Sequence, residues 1–388
     1  MGLLRIPYGI TVLTAAFFLA SGCGGLQLSQ HLTPAETDWR MSGGNIGRTN
    51  TAPESIDPPL SVVWKDDAGA GFGFSPGIST DNVLFAGNLH GDVHAIRIQD
   101  GKDLGSKRFG SALMGTPAAG ADTLFLALAH DDPSLLAYNV YTGAVLWKAA
   151  VGDVETSPLI LDRHIFVTTL TGKLQCIATA NGSIEWTYAL PERSRSLLIH
   201  SSPVSDGNLI VFGTDNSELC AVNSLTGHLE WKTSARAAIF ATPSINHGKV
   251  FVGSLDSMMY AFEVTTGKVV WSTSLGSKIY GGQAVDNQSV YVGTVGGTFY
   301  CLNAVTGAVV WRSPLGGVLN SAPLLSGSVV YVGSLDKNLY ALDRATGSIL
   351  WKYTAEGRIK SAPIIADSTL IIFAEDRSVI ALRHEVTP

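Results

Sequence analysis

At 388 residues the chain could hold two ordinary domains, yet a closed array of repeats reaches the same size as one domain. Its composition, 46% hydrophobic and 15% charged with 42 glycines, describes many short strands punctuated by tight turns and excludes a helical bundle or a disordered chain. A formal net charge of −6 leaves no basic footprint, so nucleic acid is excluded as a partner.

The first element in chain order is an export signal over residues 1–22. Arg5 supplies a positive start, Ile10 to Leu19 an apolar core too short to span a bilayer comfortably, and Leu19-Ala20-Ser21-Gly22 small residues ahead of Cys23. That run resembles a bacterial lipobox, with Ala20 where Leu is commonest. The resemblance implies a diacylated Cys23 thiol, cleavage before it and acylation of the new N-terminus; an ordinary secretory signal cut nearby is the alternative reading. Several acyl chains anchor firmly where a single one binds reversibly. Gly24 after the cysteine implies, by the same resemblance, the outer membrane and its periplasmic face. Residues 23–37, with Gly, Gln, Ser, Thr and Pro, read as a flexible tether.

A repeat of about forty residues follows. It is plainest in KVFVGSLDSMMYAFEVTTGKVVW, SVYVGTVGGTFYCLNAVTGAVVW and VVYVGSLDKNLYALDRATGSILW, which end at Trp271, Trp311 and Trp351. The tryptophan slot recurs backward at Trp231, Trp186, Trp147, Gly105 and Trp64. A second slot recurs at Pro76, Pro117, Pro158, Pro203, Pro243, Gln283, Pro323 and Pro363, always after a small residue, so two registers agree on eight units. Each unit reads as four short strands joined by turns such as Ser-Leu-Asp and Thr-Gly, where glycine supplies positive φ without steric cost. The side chains alternate with the period of strands. Such a four-stranded unit cannot bury both faces alone, and its repetition predicts an all-β, eight-bladed β-propeller over residues 38–388.

The last unit ends at SVIALRHEVTP without its Thr-Gly-Trp strand, while LSVVW, ending at Trp64, stands unpaired before the first. Residues 60–66 are therefore expected to complete the last blade and remove a free edge. The tryptophans read as mortar between neighbouring blades, with Gly105 the weakest joint. Cys176, Cys220 and Cys301 fall in three different units and read as buried free thiols. No C-x-x-C supports zinc or redox chemistry, and His90 and the His130-Asp131-Asp132 turn read as polar turn residues, so no metal site is expected.

Ala341, Asp343, Thr346, Gly347 and Trp351 form an Ala-x-Asp-x-x-Thr-Gly-x-x-x-Trp motif. It resembles the tryptophan-docking motif of the quinoprotein propellers that bind pyrroloquinoline quinone (PQQ), and the resemblance covers about residues 38–383. An exported lipoprotein made only of these repeats resembles the BamB family of the outer-membrane β-barrel assembly machinery. That resemblance implies a monomeric propeller that docks on the machinery's barrel-bearing subunit, with no chemistry and no cofactor; another envelope protein is the alternative partner. The tryptophan and proline slots stand 12 residues apart in most units but 17 apart between Trp186 and Pro203. BamB proteins carry a loop of similar length there, with a Leu/Arg cluster that contacts the barrel subunit. Leu197 matches that cluster, and Arg195 and Leu198 supply the same chemistry out of register. The acidic residues that the family presents one unit later have no counterpart in Thr233 to Thr242.

Trp39-x-x-x-Gly43, with Arg48 and Thr49, resembles the lead-in of the wider quinoprotein-like group, dehydrogenases included. A PQQ dehydrogenase would need Glu and Asn oxygens around calcium, an Asp base, a Trp floor and usually adjacent cysteines. The chain has neither adjacent cysteines nor long inserted loops, and an enzyme is not expected. Three residues before each proline slot lie Gly73, Met114, Glu155, His200, Phe240, Tyr280, Asn320 and Lys360, each preceded by an apolar residue. If the proline-bearing strands are innermost, this diverse ring lines one mouth of the axial channel, where a small molecule or peptide would make contact.

Overall fold

The computed structural model describes residues 25–385 except 75, 76, 193 and 195. The export signal, Cys23, Pro76 and Arg195 lie outside the described residues. Among the described residues the regular structure is entirely strand, arranged as eight four-stranded antiparallel sheets. Blades 1 to 8 span 77–108, 118–149, 159–189, 204–234, 244–274, 284–314, 324–354 and 364–384. The fourth strand of blade 8 is Leu60–Asp67, which pairs with Ser378–His384 from Leu60↔His384 to Asp67↔Ser378 and shifts register between Val62 and Trp64. The ring closes as the sequence predicts.

The second strand of each blade is sandwiched between neighbours, so runs such as Val329–Gly333 are buried throughout, whereas the outer strand Ile349–Thr354 is largely exposed. At six joints among the described residues an indole lies on the glycine turn of the next blade. At Gly182 (φ 74), a Cβ would stand 2.5 Å from the Trp147 ring, so glycine is required both for its conformation and for the close approach. The same indole donates from Nε1 to Thr179 O at 2.8 Å. Cys176, Cys220 and Cys301 are free and buried in blades 3, 4 and 6.

The joint between blades 1 and 2 lacks its indole at Gly105, and the N-terminal segment fills the gap. Gln27 lies against Gly143, the place a tryptophan occupies elsewhere, and Leu28 N donates to Val140 O at 2.7 Å. Tyr138 Oη donates to Leu26 O, and Leu26, Leu28 and Leu32 are buried among Leu124, Leu136 and Tyr138. The flexible tether expected over 23–37 is thus corrected for its described part: residues 26–33 form a docked strap, because the missing ring leaves an apolar vacancy that three leucines enter.

From the strap the chain runs into the axial channel. Trp39 O, Arg40 O, Ile46 O, Gly47 O, Thr49 O and Asn50 O accept from Ser79, Ala119, Ser205, Ile245, Val285 and Leu325, each on the innermost strand of a different blade. Residues 39–52 therefore plug the channel. Strap and plug lie toward the turns that join first to second strands, such as those at Asp81 and Asp122. The connections between blades lie at the opposite end of the strands, and that face stays open.

Candidate functional site

The open face carries a funnel of about 260 Å³ on the propeller axis. Met114, Glu155, His200, Phe240, Tyr280 and Asn320 line it, all from the ring three residues before the proline slots, and Ser42, Gly43, Arg48 and Asn50 of the plug form its floor. Two ring positions depart from the expectation. Gly73 has no side chain to offer, since a Cβ there would stand 2.1 Å from Met114 O, and Phe74 takes its place in the wall. Lys360 is drawn aside to Glu375, 3.2 Å away, and is not part of the lining.

The wall is chemically divided. On one side Glu155 stands 3.9 Å from His130 and 3.9 Å from His200, while His130 Nδ1 pairs with Asp153 at 3.0 Å and His200 Nδ1 with Asp215 at 2.9 Å. On the other, the rings of His200, Phe240 and Tyr280 form an arc with centroids 5.0 and 5.8 Å apart. Asp215 and Glu375 were not singled out from the sequence, yet a signal was present. They occupy the turn slot that holds Leu170, Leu255, Val295 and Leu335 in other blades, and each acid serves the one strongly basic ring residue beside it.

The hydrogen bond to Asp215, opposed by partial burial and helped by the charges of Asp215 and Glu155, raises the His200 pKa above 6.5. A raised folded value means that protonated His200 stabilises the fold fully below the unfolded pKa, and that this contribution fades as pH rises through the folded one. His200 is therefore expected to titrate above 6.5 by NMR, and Asp215→Asn to bring it down; a wild-type value at or below 6.5 would refute the pairing.

His200 ends the long connection after blade 3. Leu197 and Leu198, just before it, are 39% and 40% exposed. Its end is braced: Leu197 O sits over Gly172, and Asp215 N donates to Leu198 O at 3.2 Å. An apolar pair is thereby held next to the aromatic arc on one face. Arg195 lies outside the described residues.

The calcium and quinone arrangement of the dehydrogenases does not fit this funnel. The carboxylate in its wall, Glu155, enters from the connection before blade 3 and lies between two histidines, while the amide, Asn320, enters before blade 7, on the opposite side of the eight-membered ring. No shared oxygen cradle forms between them.

The family model described as outer membrane protein assembly factor BamB matches residues 55–148, 89–267, 256–343 and 325–385. The outer membrane protein assembly factor BamB of Bordetella pertussis (strain Tohama I) is 26% identical over 180 residues, 45% of this chain and 46% of that protein. The aligned part spans about half the length of the curated relatives it matches. The crystal structure of BamB from Moraxella catarrhalis superposes with a TM-score of 0.70 at 17% identity, over 84% of this chain and 100% of that one. A quinohemoprotein alcohol dehydrogenase from Pseudomonas putida HK5 superposes with a TM-score of 0.75 at 12% identity, over 91% and 81%. At such identities the two superpositions establish the propeller alone.

Proposed function

The chain belongs to the BamB family of outer membrane protein assembly factors, and from that premise we propose that it is a non-enzymatic docking lipoprotein that assists the assembly and insertion of outer-membrane β-barrel proteins. One observation carries the proposal: the exposed Leu197–Leu198 pair stands on a braced connection beside the His200, Phe240 and Tyr280 arc, on the face that plug and strap leave open. Apolar and aromatic anchors on a rigid surface are the parts that contribute most to protein association. The barrel-bearing subunit of the assembly machinery is the proposed partner, with Arg195, outside the described residues, proposed from the sequence alone to contact it.

Lipidation at Cys23 fits this arrangement. Two residues separate Cys23 from Leu26, where the strap is already buried, and that length of chain reaches about 10 Å. The anchor is then held at the rim of the plugged face, and the docking surface points away from it, on the periplasmic side.

A pull-down from detergent-solubilised membranes tests the proposal. Wild-type chain is expected to recover the barrel-bearing subunit, and the double variant Leu197→Asp, Leu198→Asp, with an unchanged melting temperature, to lose it. Equal recovery by both, or recovery by neither, would overturn the docking role of this surface.

A further inference from the structure

Blade 3 differs from the other seven blades at one cross-strand address. His164 begins its second strand, Cys176 lies on the third opposite Phe166, and Trp186 on the outer strand lies opposite Cys176. The register shifts there, because Ile184 pairs with Ile177, and Glu185 is the extra residue of the bulge. His164 and Phe166 share one face of the blade, so imidazole, thiol and carboxylate converge from three adjacent strands. One ligand atom from each lies within 4.8 Å of the others, and His164 Nε2 is 2.9 Å from Glu185 Oε2.

Repetition supplies an internal control. Blade 6 carries the other cysteine at this address, Cys301, but has Ser289 and Val310 where blade 3 has His164 and Glu185. Blade 4 has the second bulge glutamate, Glu230, with Leu209 and Ala221. Among the described residues this trio is the cluster of three ligand side chains close enough to share an ion.

The joint beside it is also distinct. Trp147 and Trp231 tie their indoles to Thr179 O and Val264 O at 2.8 Å, whereas Trp186 Nε1 is buried without a partner. A crevice of about 210 Å³ opens there between blades 3 and 4, with His164, Phe166, Asn208 and Ser224 in its walls. It gives solvent a route to His164.

The geometry points to a divalent zinc site formed by His164, Cys176 and Glu185, with water as the fourth ligand. Thiolate, imidazole and carboxylate together suit zinc rather than calcium or magnesium. At bond lengths of about 2.0 to 2.3 Å, tetrahedral ligands stand about 3.3 to 3.8 Å apart, and the three ligand atoms here lie within 4.8 Å of one another. Cys176 is a free, buried thiol, and zinc binds a cysteine as its thiolate. Binding forms a zinc–sulfur bond and breaks the S–H bond, and the proton goes to solvent. The ion would fasten the outer strand of blade 3, from which the connection bearing Leu197 departs.

Titration of the untagged, chelator-stripped chain with cobalt(II), and then with zinc(II) as competitor, tests the site. We expect one equivalent bound, a thiolate-to-cobalt charge-transfer band, and release of the thiol proton on binding. Cys176→Ala should abolish the band, and His164→Ala should weaken binding by about tenfold or more. Cys176→Ala places at this address the residue that Ala137, Ala221, Ala261 and Ala341 already supply in other blades, so the variant folds. Cys301→Ala should leave the band intact. Absence of the band in wild type, its survival in Cys176→Ala, or its loss in Cys301→Ala would each overturn the proposal.

Discussion

A chain cut to begin at Ala68 is expected to lose its cooperative thermal transition and to associate in solution. The cut removes the outer strand of blade 8 and exposes the edge of Ser378–His384 to other chains. It also removes Trp64, whose Nε1 donates to Ile98 O at 2.8 Å and whose ring lies on Gly101, so the joint between blades 8 and 1 opens. Loss of such a ring alone costs about 3–5 kcal/mol, and the ion pairs of Asp67 with Arg377 and of Lys65 with Glu356, at 2.9 and 3.1 Å on the surface, add little. The plug leaves with the same cut, so a second chain separates the two effects. Glu385 N donates to Pro59 O at 3.1 Å, which places Glu385 beside the start of the missing strand. A permuted chain running 68–385, a short turn, then 60–67 should regain a single transition, below that of the full chain because the plug is absent. Calorimetry and size-exclusion chromatography read both results. A truncated chain that melts like the full one would show that closure by the terminal strand does not hold the ring.

The eight blades were legible because most of them solve one packing problem in the same way. An indole must meet a Thr-Gly turn, as Trp311 meets Gly347, and that contact stamps both residues into the sequence at a fixed spacing. The strap was illegible for the opposite reason. Leu26, Leu28 and Leu32 stand in a polar run with no repeat, and what draws them in is the vacancy left by Gly105 about eighty residues later. The funnel mouth lies between these extremes. Its ring positions follow from the proline slots, but whether a side chain faces the axis depends on its neighbours, and Glu375 turns Lys360 away. The trio of His164, Cys176 and Glu185 has no spacing signature, because its members sit on separate strands joined only by register.

Arg48 is the residue on which the plug is expected to depend most. It is 1% exposed, and among the described residues no carboxylate pairs with it. Its charge is held by backbone oxygens: Nε donates to Pro203 O at 2.8 Å, Nη2 to Ser157 O at 2.9 Å and Pro158 O at 3.3 Å, and Nη1 to Ser42 O at 3.4 Å. Burial lowers its pKa to about 9, which still leaves it charged at neutral pH. Two effects oppose each other in Arg48→Met. Relief from burying a charge favours the variant, but the oxygens at two proline slots stay where they are, and a buried acceptor left unpaired costs about 1–3 kcal/mol. With several such oxygens losing their donors at once, the loss wins, and a net destabilisation of about 2–4 kcal/mol is expected. Arg48→Lys should recover only part of it, because an ammonium cannot fork between Pro203 O on blade 4 and Ser157 O on blade 3. Denaturant unfolding of the three chains measures the difference. If Arg48→Met were as stable as wild type, the six backbone bonds from the plug to the innermost strands would suffice alone, and the buried cation would have no part in holding the floor of the funnel.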